Sequence, residues 1–422
     1  MNKFKVKTLK NGVPLYLIPL KEAKTATIMF MFKTGSKYEN RKNSGISHFL
    51  EHMFFKGTKK RPDTVTISSE LDSLGSEFNA FTGKEYTGYF VKTAASKIRP
   101  AMKILGDMLL NSLFDEKEIE REKGVIIEEL NMYEDNPLMH IEDVFESCLY
   151  GDTPAGWDTI GTKETIRSFK RQDFINYFTS QYGTKSLSII LAGKISAADI
   201  SVLEKIALEF KDNVWQNKLK VKENQTKPAI KSVFKATDQI ALSLGVRTVA
   251  IGHPDELKLK MLALVLGGSM SSRLFIRLRE RNGLAYFVKT MTEFYSDSGY
   301  LTTQAGVPID KVKEAVRIIL EEYKNIAQEK ISEVELKKAK DLLVGKMALR
   351  LEATDEIASW YARQAVLRGK ALSPAEVLKE IKKVKATDLQ KLAKKFFIES
   401  SLNLALMGKV KAADFKTVLK LK

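Results

Sequence analysis

Two stretches of the chain that lie 217 residues apart open in the same way. Phe114-Asp-Glu-Lys-Glu-Ile-Glu-Arg-Glu122 can be laid on Ile331-Ser-Glu-Val-Glu-Leu-Lys-Lys-Ala339, at a shift of 331 − 114 = 217. Each begins with an apolar residue, a capping residue and a glutamate. Each continues with apolar positions in step: Ile119 with Leu336, Val125 with Leu342, Ile126 with Leu343. Internal similarity of this kind predicts two copies of one strand–helix domain. The length of 422 residues agrees, because a single core rarely serves more than about 250–300 residues. The polar, lysine- and asparagine-rich stretch 212–232 reads as the linker, which places the domains at 1–215 and 232–422.

The first half predicts a hairpin of a strand near Lys3–Leu9, the turn Asn11-Gly12 and a strand at Val13–Leu20. A further strand, Thr25–Lys33, leads to a helix with Ser44 as its cap. After a helix near Val65–Leu74, strands follow at about Ser76–Phe81 and Glu85–Thr93, then helices at Lys97–Leu110, Asp115–Tyr133 and Leu138–Leu149. A helix at Arg171–Tyr182, a strand at Ser186–Ala192 and a helix from Ala197 to Phe210 close this half. Beyond the linker the order recurs, with strands at Gln239–Val246, Ala285–Phe294 and Tyr300–Ala305 among long helices.

The chemistry is not duplicated. His48, Glu51 and His52 spell H-x-x-E-H, the inverted zinc-peptidase signature. On a helix, positions i, i+3 and i+4 share a face, so two imidazoles and a carboxylate converge. Neutral imidazoles suit zinc, and the carboxylate between them is placed to take a proton from an activated water. Half of the four histidines sit in this motif, and the second half of the chain has no counterpart.

A catalytic zinc takes three protein ligands. Glu122 and Glu129 lie seven positions apart in an acidic helix, on the face of Val125, Ile126 and Tyr133. Carboxylates on an apolar face need a partner. Glu128 is turned about 100° away and reads as solvated. Periodicity favours Glu129 as the third ligand and leaves Glu122 and Glu128 open.

Composition narrows the rest. A single cysteine, Cys148, excludes an internal disulfide and any multi-cysteine metal site, and its apolar helix makes it a buried thiol. No run of about 18 apolar residues predicts a membrane span, and the start alternates apolar and basic residues rather than forming a signal core. An intracellular, cytoplasmic protein is expected. The formal charge of +17 comes from lysines and arginines spread along the chain, without an arginine-rich block, so no nucleic-acid interface is expected. His140 and His253 read as surface or capping residues, Trp360 and Tyr361 as core aromatics, and Gly267-Gly268 lacks the remainder of a phosphate loop.

H-x-x-E-H followed some seventy residues later by Arg121-Glu122 and Glu129 resembles the pitrilysin/insulysin family of zinc endopeptidases, in the short two-domain form similar to the mitochondrial-processing-peptidase beta subunit and its bacterial relatives. Gly45–Thr58, the acidic helix ending at Pro137, and Gly267-Gly-Ser-Met-Ser-Ser-Arg-Leu-Phe275 carry the same resemblance. It implies an α+β fold of two tandem domains, each a mostly antiparallel sheet packed with helices. It also implies one zinc per chain on His48, His52 and Glu129, with Glu51 as base and Glu122 as a second acidic residue of the site. The stretch Asn79-Ala80-Phe81 resembles the family's edge strand, to which a peptide is added. Arg279 and Tyr286 match its substrate-contacting pair near the scissile bond. Longer members close four such domains around a chamber, so this chain is expected to pair, as a homodimer or with an inactive relative, and to complete each site across the pair. The competing expectation is a non-catalytic structural subunit; such relatives usually lose the metal residues, and this chain keeps them.

Overall fold

A computed structural model describes residues 4–421; Lys3, where the sequence places the start of the first strand, lies outside the described residues. The first half runs β1 (Lys5–Thr8), β2 (Pro14–Pro19), β3 (Thr25–Phe32), α1 (Ile46–Met53), α2 (Thr64–Ser73), β4 (Glu77–Thr82), β5 (Thr87–Ala94), α3 (Ile98–Asn111), α4 (Glu116–Asp135), α5 (Pro137–Tyr150), α6 (Lys163–Ser168), α7 (Arg171–Gln181), β6 (Leu187–Gly193) and α8 (Ala197–Glu209). The second runs β7 (Ala229–Val233), β8 (Gln239–Arg247), α9 (Glu256–Gly267), α10 (Arg273–Phe275, continued as a π-turn over Ile276–Arg281), β9 (Phe287–Phe294), β10 (Gly299–Pro308), α11 (Val312–Gln328), α12 (Glu333–Arg350), α13 (Thr354–Arg368), α14 (Pro374–Lys383), α15 (Ala386–Phe396) and β11 (Leu402–Met407).

The two sheets share one plan. The six-stranded sheet is ordered β1-β2-β6-β3-β5-β4 and the five-stranded one β7-β11-β8-β10-β9. Setting β1 aside, each has one parallel pair at the same place, β2 with β6 and β7 with β11, and is otherwise antiparallel. Helices α4 and α12 start 333 − 116 = 217 residues apart, the shift at which the sequences align. The fold is therefore α+β and duplicated.

Each sheet is covered on both faces, as the apolar strands require. In β3 every residue from Ala26 to Phe32 is buried. Phe30 and Phe32 pack against Phe210, and Phe32 also meets Tyr182. On the opposite parity, the hydroxyls of Thr25 and Thr27 meet that of Thr354 at 3.1 and 2.9 Å, which seats α13 on the sheet. In the five-stranded sheet, Ile240, Leu242, Leu244 and Val246 face the core shared with α9, α11 and α15. Ala241, Tyr300, Ala405 and Met407 face α5 through Ile141, Val144, Phe145 and Leu149.

The compact units therefore cut across the linear order. The first comprises the chain up to Leu130, Asp158–Leu219 and Met347–Glu376; the second comprises Asn131–Trp157, Lys220–Lys346 and the chain from Val377 on. Division at the linker alone, into 1–215 and 232–422, does not contain this reciprocal placement of α5 and α13. The linker is also more structured than its composition suggests. Trp215 Nε1 donates to the Lys33 carbonyl at 3.2 Å, and β7 begins inside residues 212–232, ends one residue beyond them and pairs with β11. Among the described residues no helix is long and apolar enough to cross a membrane.

Candidate metal centre

Helix α1 starts from a backbone that only glycine allows. Gly45 precedes it at φ 93°, and a Cβ there would lie 2.2 Å from the Ile160 carbonyl oxygen. Ser44 does not cap the helix: Gly45 holds the cap position without a side-chain bond. The buried carboxylate of Glu39 accepts instead from the Gly45 N–H at 2.7 Å and the Ser47 N–H at 2.8 Å. One hydroxyl satisfies one orphan donor; two carboxylate oxygens satisfy two, and burial pushes the Glu39 carboxyl up to about 7.

From this start α1 presents His48 and His52 side by side, with ring centroids 4.8 Å apart. Helix α4 brings Glu129 to them: His48 Nε2 lies 3.7 Å from Oε1, and His52 Nε2 lies 3.6 Å from Oε2. One ligand atom from each residue falls within 4.8 Å of the others. The imidazole–carboxylate gaps are too long for hydrogen bonds. They match the roughly 3.3–3.6 Å between ligands of one tetrahedral ion at about 2.0–2.2 Å. Two imidazoles and one carboxylate form the three-residue donor set of a catalytic zinc, and the residues fit it.

The surroundings differ for the two histidines. Glu122, 3% exposed, meets His52 Nδ1 at 2.8 Å and Lys56 Nζ at 2.5 Å. Burial works against its charge, but the His52 hydrogen bond and the Lys56 ammonium outweigh it and hold the carboxyl below the usual range. An Nδ1–H donated to Glu122 leaves the Nε2 lone pair for a metal. His48 has no such support: its buried Nδ1 finds no hydrogen-bond partner among the described residues. Glu51 is pushed up by burial, offset in part by His48 and by a hydrogen bond from Thr82. Glu128 is exposed, whereas Ile126 and Leu130 are buried; Val125, read as sharing the face of Ile126 and Tyr133, is half exposed.

Asn79, Ala80 and Phe81 lie on β4, the edge strand of the six-stranded sheet. The Phe81 ring lies over Gly88, its cross-strand partner. Arg279 and Tyr286 come together in the second unit. Arg279 Nη1 donates to the Tyr286 carbonyl at 3.1 Å, and its guanidinium stacks 4.8 Å from the Tyr286 ring, which is 81% exposed. Cys148 is a part-buried thiol that burial pushes up to about 11, and His253 Nδ1 accepts from the Asp255 N–H at a helix start. Sequence reading missed Glu39, Lys56 and Thr82. Lys56 is signalled only by its four-residue spacing from His52, and Thr82 only by sharing the strand parity of Ala80.

Profile comparison matches residues 17–163 to the family described as "Insulinase (Peptidase family M16)" and residues 168–343 to "Peptidase M16 inactive domain". An uncharacterized zinc protease of Bacillus subtilis, YmxG, is 35% identical over 93% of this chain and 95% of its own length. An uncharacterized zinc protease of Rickettsia felis is 33% identical over 96% of this chain and 97% of its own. Among solved structures, a protease from Helicobacter pylori superposes with a TM-score of 0.90 at 22% identity, covering 97% of this chain and all of that one. A chain of complex III2 from Candida albicans superposes at 0.83 with 18% identity, covering 99% of each. At these identities the structural matches speak for the fold.

Proposed function

The chain belongs to peptidase family M16, the insulinase family, and on that premise we propose that it is a zinc-dependent endopeptidase in which Glu51 is the general base. The observation that carries this reading is the convergence of His48, His52 and Glu129 from two helices on one point, at separations that suit an ion. Zinc, one per chain, supplies a Lewis acid and brings the pKa of a water toward about 7 when bound. Glu51, beside the two imidazoles and biased by burial toward holding a proton, takes one from the attacking water and returns it to the leaving amine. Glu122 acts through His52, fixing its tautomer and ring.

The peptide is added to β4 as a further strand. Along an edge strand alternate residues turn their N–H and C=O groups away from the sheet, so main-chain bonds along Asn79-Ala80-Phe81 hold the substrate, with the Ala80 N–H released from the Asn79 side-chain oxygen that accepts it at 2.8 Å, while pockets take alternate side chains. Arg279 and Tyr286 supply donors near the scissile bond, and in a homodimer they serve the zinc site of the opposite subunit. A closed chamber formed by the pair admits unfolded peptides. The reading as a non-catalytic subunit loses support from the intact ligand set.

Glu51→Gln tests the assignment. The variant is expected to hold zinc as the wild type does while turnover of a quenched peptide drops by about 10²–10⁴-fold. Cleavage at the wild-type rate would sink the assignment.

A further inference from the structure

We propose that Thr82 is a positioning residue that aims the base, gripping Glu51 from the strand to which the peptide is added. The inference rests on the reading of Glu51 as base and adds the group that orients it. Thr82 Oγ1 donates to Glu51 Oε2 at 2.5 Å, and among the described residues it is the one hydrogen-bond partner of that carboxylate. A glutamate side chain turns about three torsions, so burial alone leaves its two oxygens unassigned. With Oε2 held by a hydroxyl, Oε1 is the oxygen left to take the proton.

The grip is built on a frame with little slack. Thr82 ends β4 on the parity of Phe78, and Phe78 stacks on Phe55 at 6.3 Å, so this parity faces the segment that carries the histidines. Its cross-strand partner Thr87 is buried and donates to the Thr34 carbonyl at 3.0 Å. The turn that follows is locked by the ion pair of Glu85 with Lys37 at 2.8 Å, both 1% exposed, with Lys218 at 3.2 Å from the same carboxylate oxygen. Lys37 N–H also donates to the Lys84 carbonyl at 2.8 Å. A β-branched threonine has little χ1 freedom of its own. A residue needed only for the strand would not require this hydroxyl, because valine fills the same shape and suits a strand at least as well.

The test uses the full-length, zinc-loaded protein with the variants Thr82→Val and Thr82→Ser beside Glu51→Gln. Thr82→Val is expected to lower kcat by about ten- to a hundredfold, with KM, zinc content and thermal midpoint as in the wild type. Thr82→Ser, which keeps the hydroxyl, is expected to restore most of kcat. A crystal structure of Thr82→Val should show the Glu51 carboxylate swung from its wild-type position. If Glu51→Gln still cleaves, the base reading fails and this proposal falls with it. If Glu51→Gln is dead but Thr82→Val keeps full kcat, raises KM alone, leaves Glu51 in place, or is no worse than Thr82→Ser, the positioning role alone is overturned.

Discussion

At the scale of single residues, one carboxylate separates an oriented imidazole from a merely packed one. His52 has Glu122 behind it and Lys56 behind that; the Nδ1 of His48 has neither. Glu122→Gln is therefore expected to weaken zinc binding by about 10–100-fold in competition with a chelating dye. Lys56→Gln should weaken it too, because it leaves a buried carboxylate with only His52 to balance it. Wild-type affinity in both variants would remove the chain Lys56–Glu122–His52 from the account. The motif His48, Glu51 and His52 is legible in the sequence because one helical turn is local geometry. Periodicity favours Glu129 and leaves Glu122 and Glu128 open, and the family resemblance chooses among them. Glu39, Lys56 and Thr82 are not legible, because each acts across the fold on a residue six or more positions away or through a third group. Ser44 looks like a cap only as long as the carboxylate of Glu39 is out of view.

At the scale of elements, most strands and helices follow from periodicity, and the failures concern which element covers which. Helix α5 carries an apolar stripe, Ile141, Val144, Phe145 and Leu149, that any sheet could bury. Neighbours in sequence usually pack together, yet α5 covers the sheet of the second unit and α13 that of the first. Phe145→Ala should cost about 3–5 kcal/mol, read as faster hydrogen exchange in β8 and β11. Faster exchange confined to β3 and β6 would contradict this placement. Strand β7 hides in a polar stretch because its five residues are half-buried throughout and pair in parallel with β11, a long-range partner. The first helix after the matching strand also explains why chemistry is not duplicated: α1 carries the histidines, whereas α9 is apolar, with Leu259, Leu262 and Leu266 fully buried.

The start of α12 is tied differently from that of α4. Arg273 holds Glu335 through two hydrogen bonds of 2.8 and 3.1 Å, and the Arg273 guanidinium draws the carboxyl down to about 2. A carboxyl whose folded pKa is depressed stabilises the fold above its unfolded value of about 4.3 and loses that contribution as pH falls toward 2. Solvent screening keeps the effect modest at this part-exposed pair. Glu335→Gln should melt below the wild type at pH 6, and the two should converge near pH 2. A difference in melting temperature that persists undiminished at pH 2 would contradict the pairing.

At the scale of the whole molecule, two units share one sheet order once β1 is set aside, and one of them carries His48, His52 and Glu129, while Arg279 and Tyr286 belong to the other. If subunits of a homodimer exchange these parts, mixing Glu51→Gln chains with Tyr286→Phe chains should restore cleavage that each lacks alone. A mixture no more active than its components would count against the shared site. The duplication is readable from the 217-residue shift; a pairing of chains is not, because a surface for it would leave no periodicity. The central claim concerns the ion, and zinc titration of chelator-stripped protein reaches it most directly. Peptide cleavage should be absent after stripping and should rise with added zinc to a plateau at one equivalent per chain. Cleavage that survives stripping, or zinc uptake that is unchanged in His48→Ala and His52→Ala chains, would contradict the account.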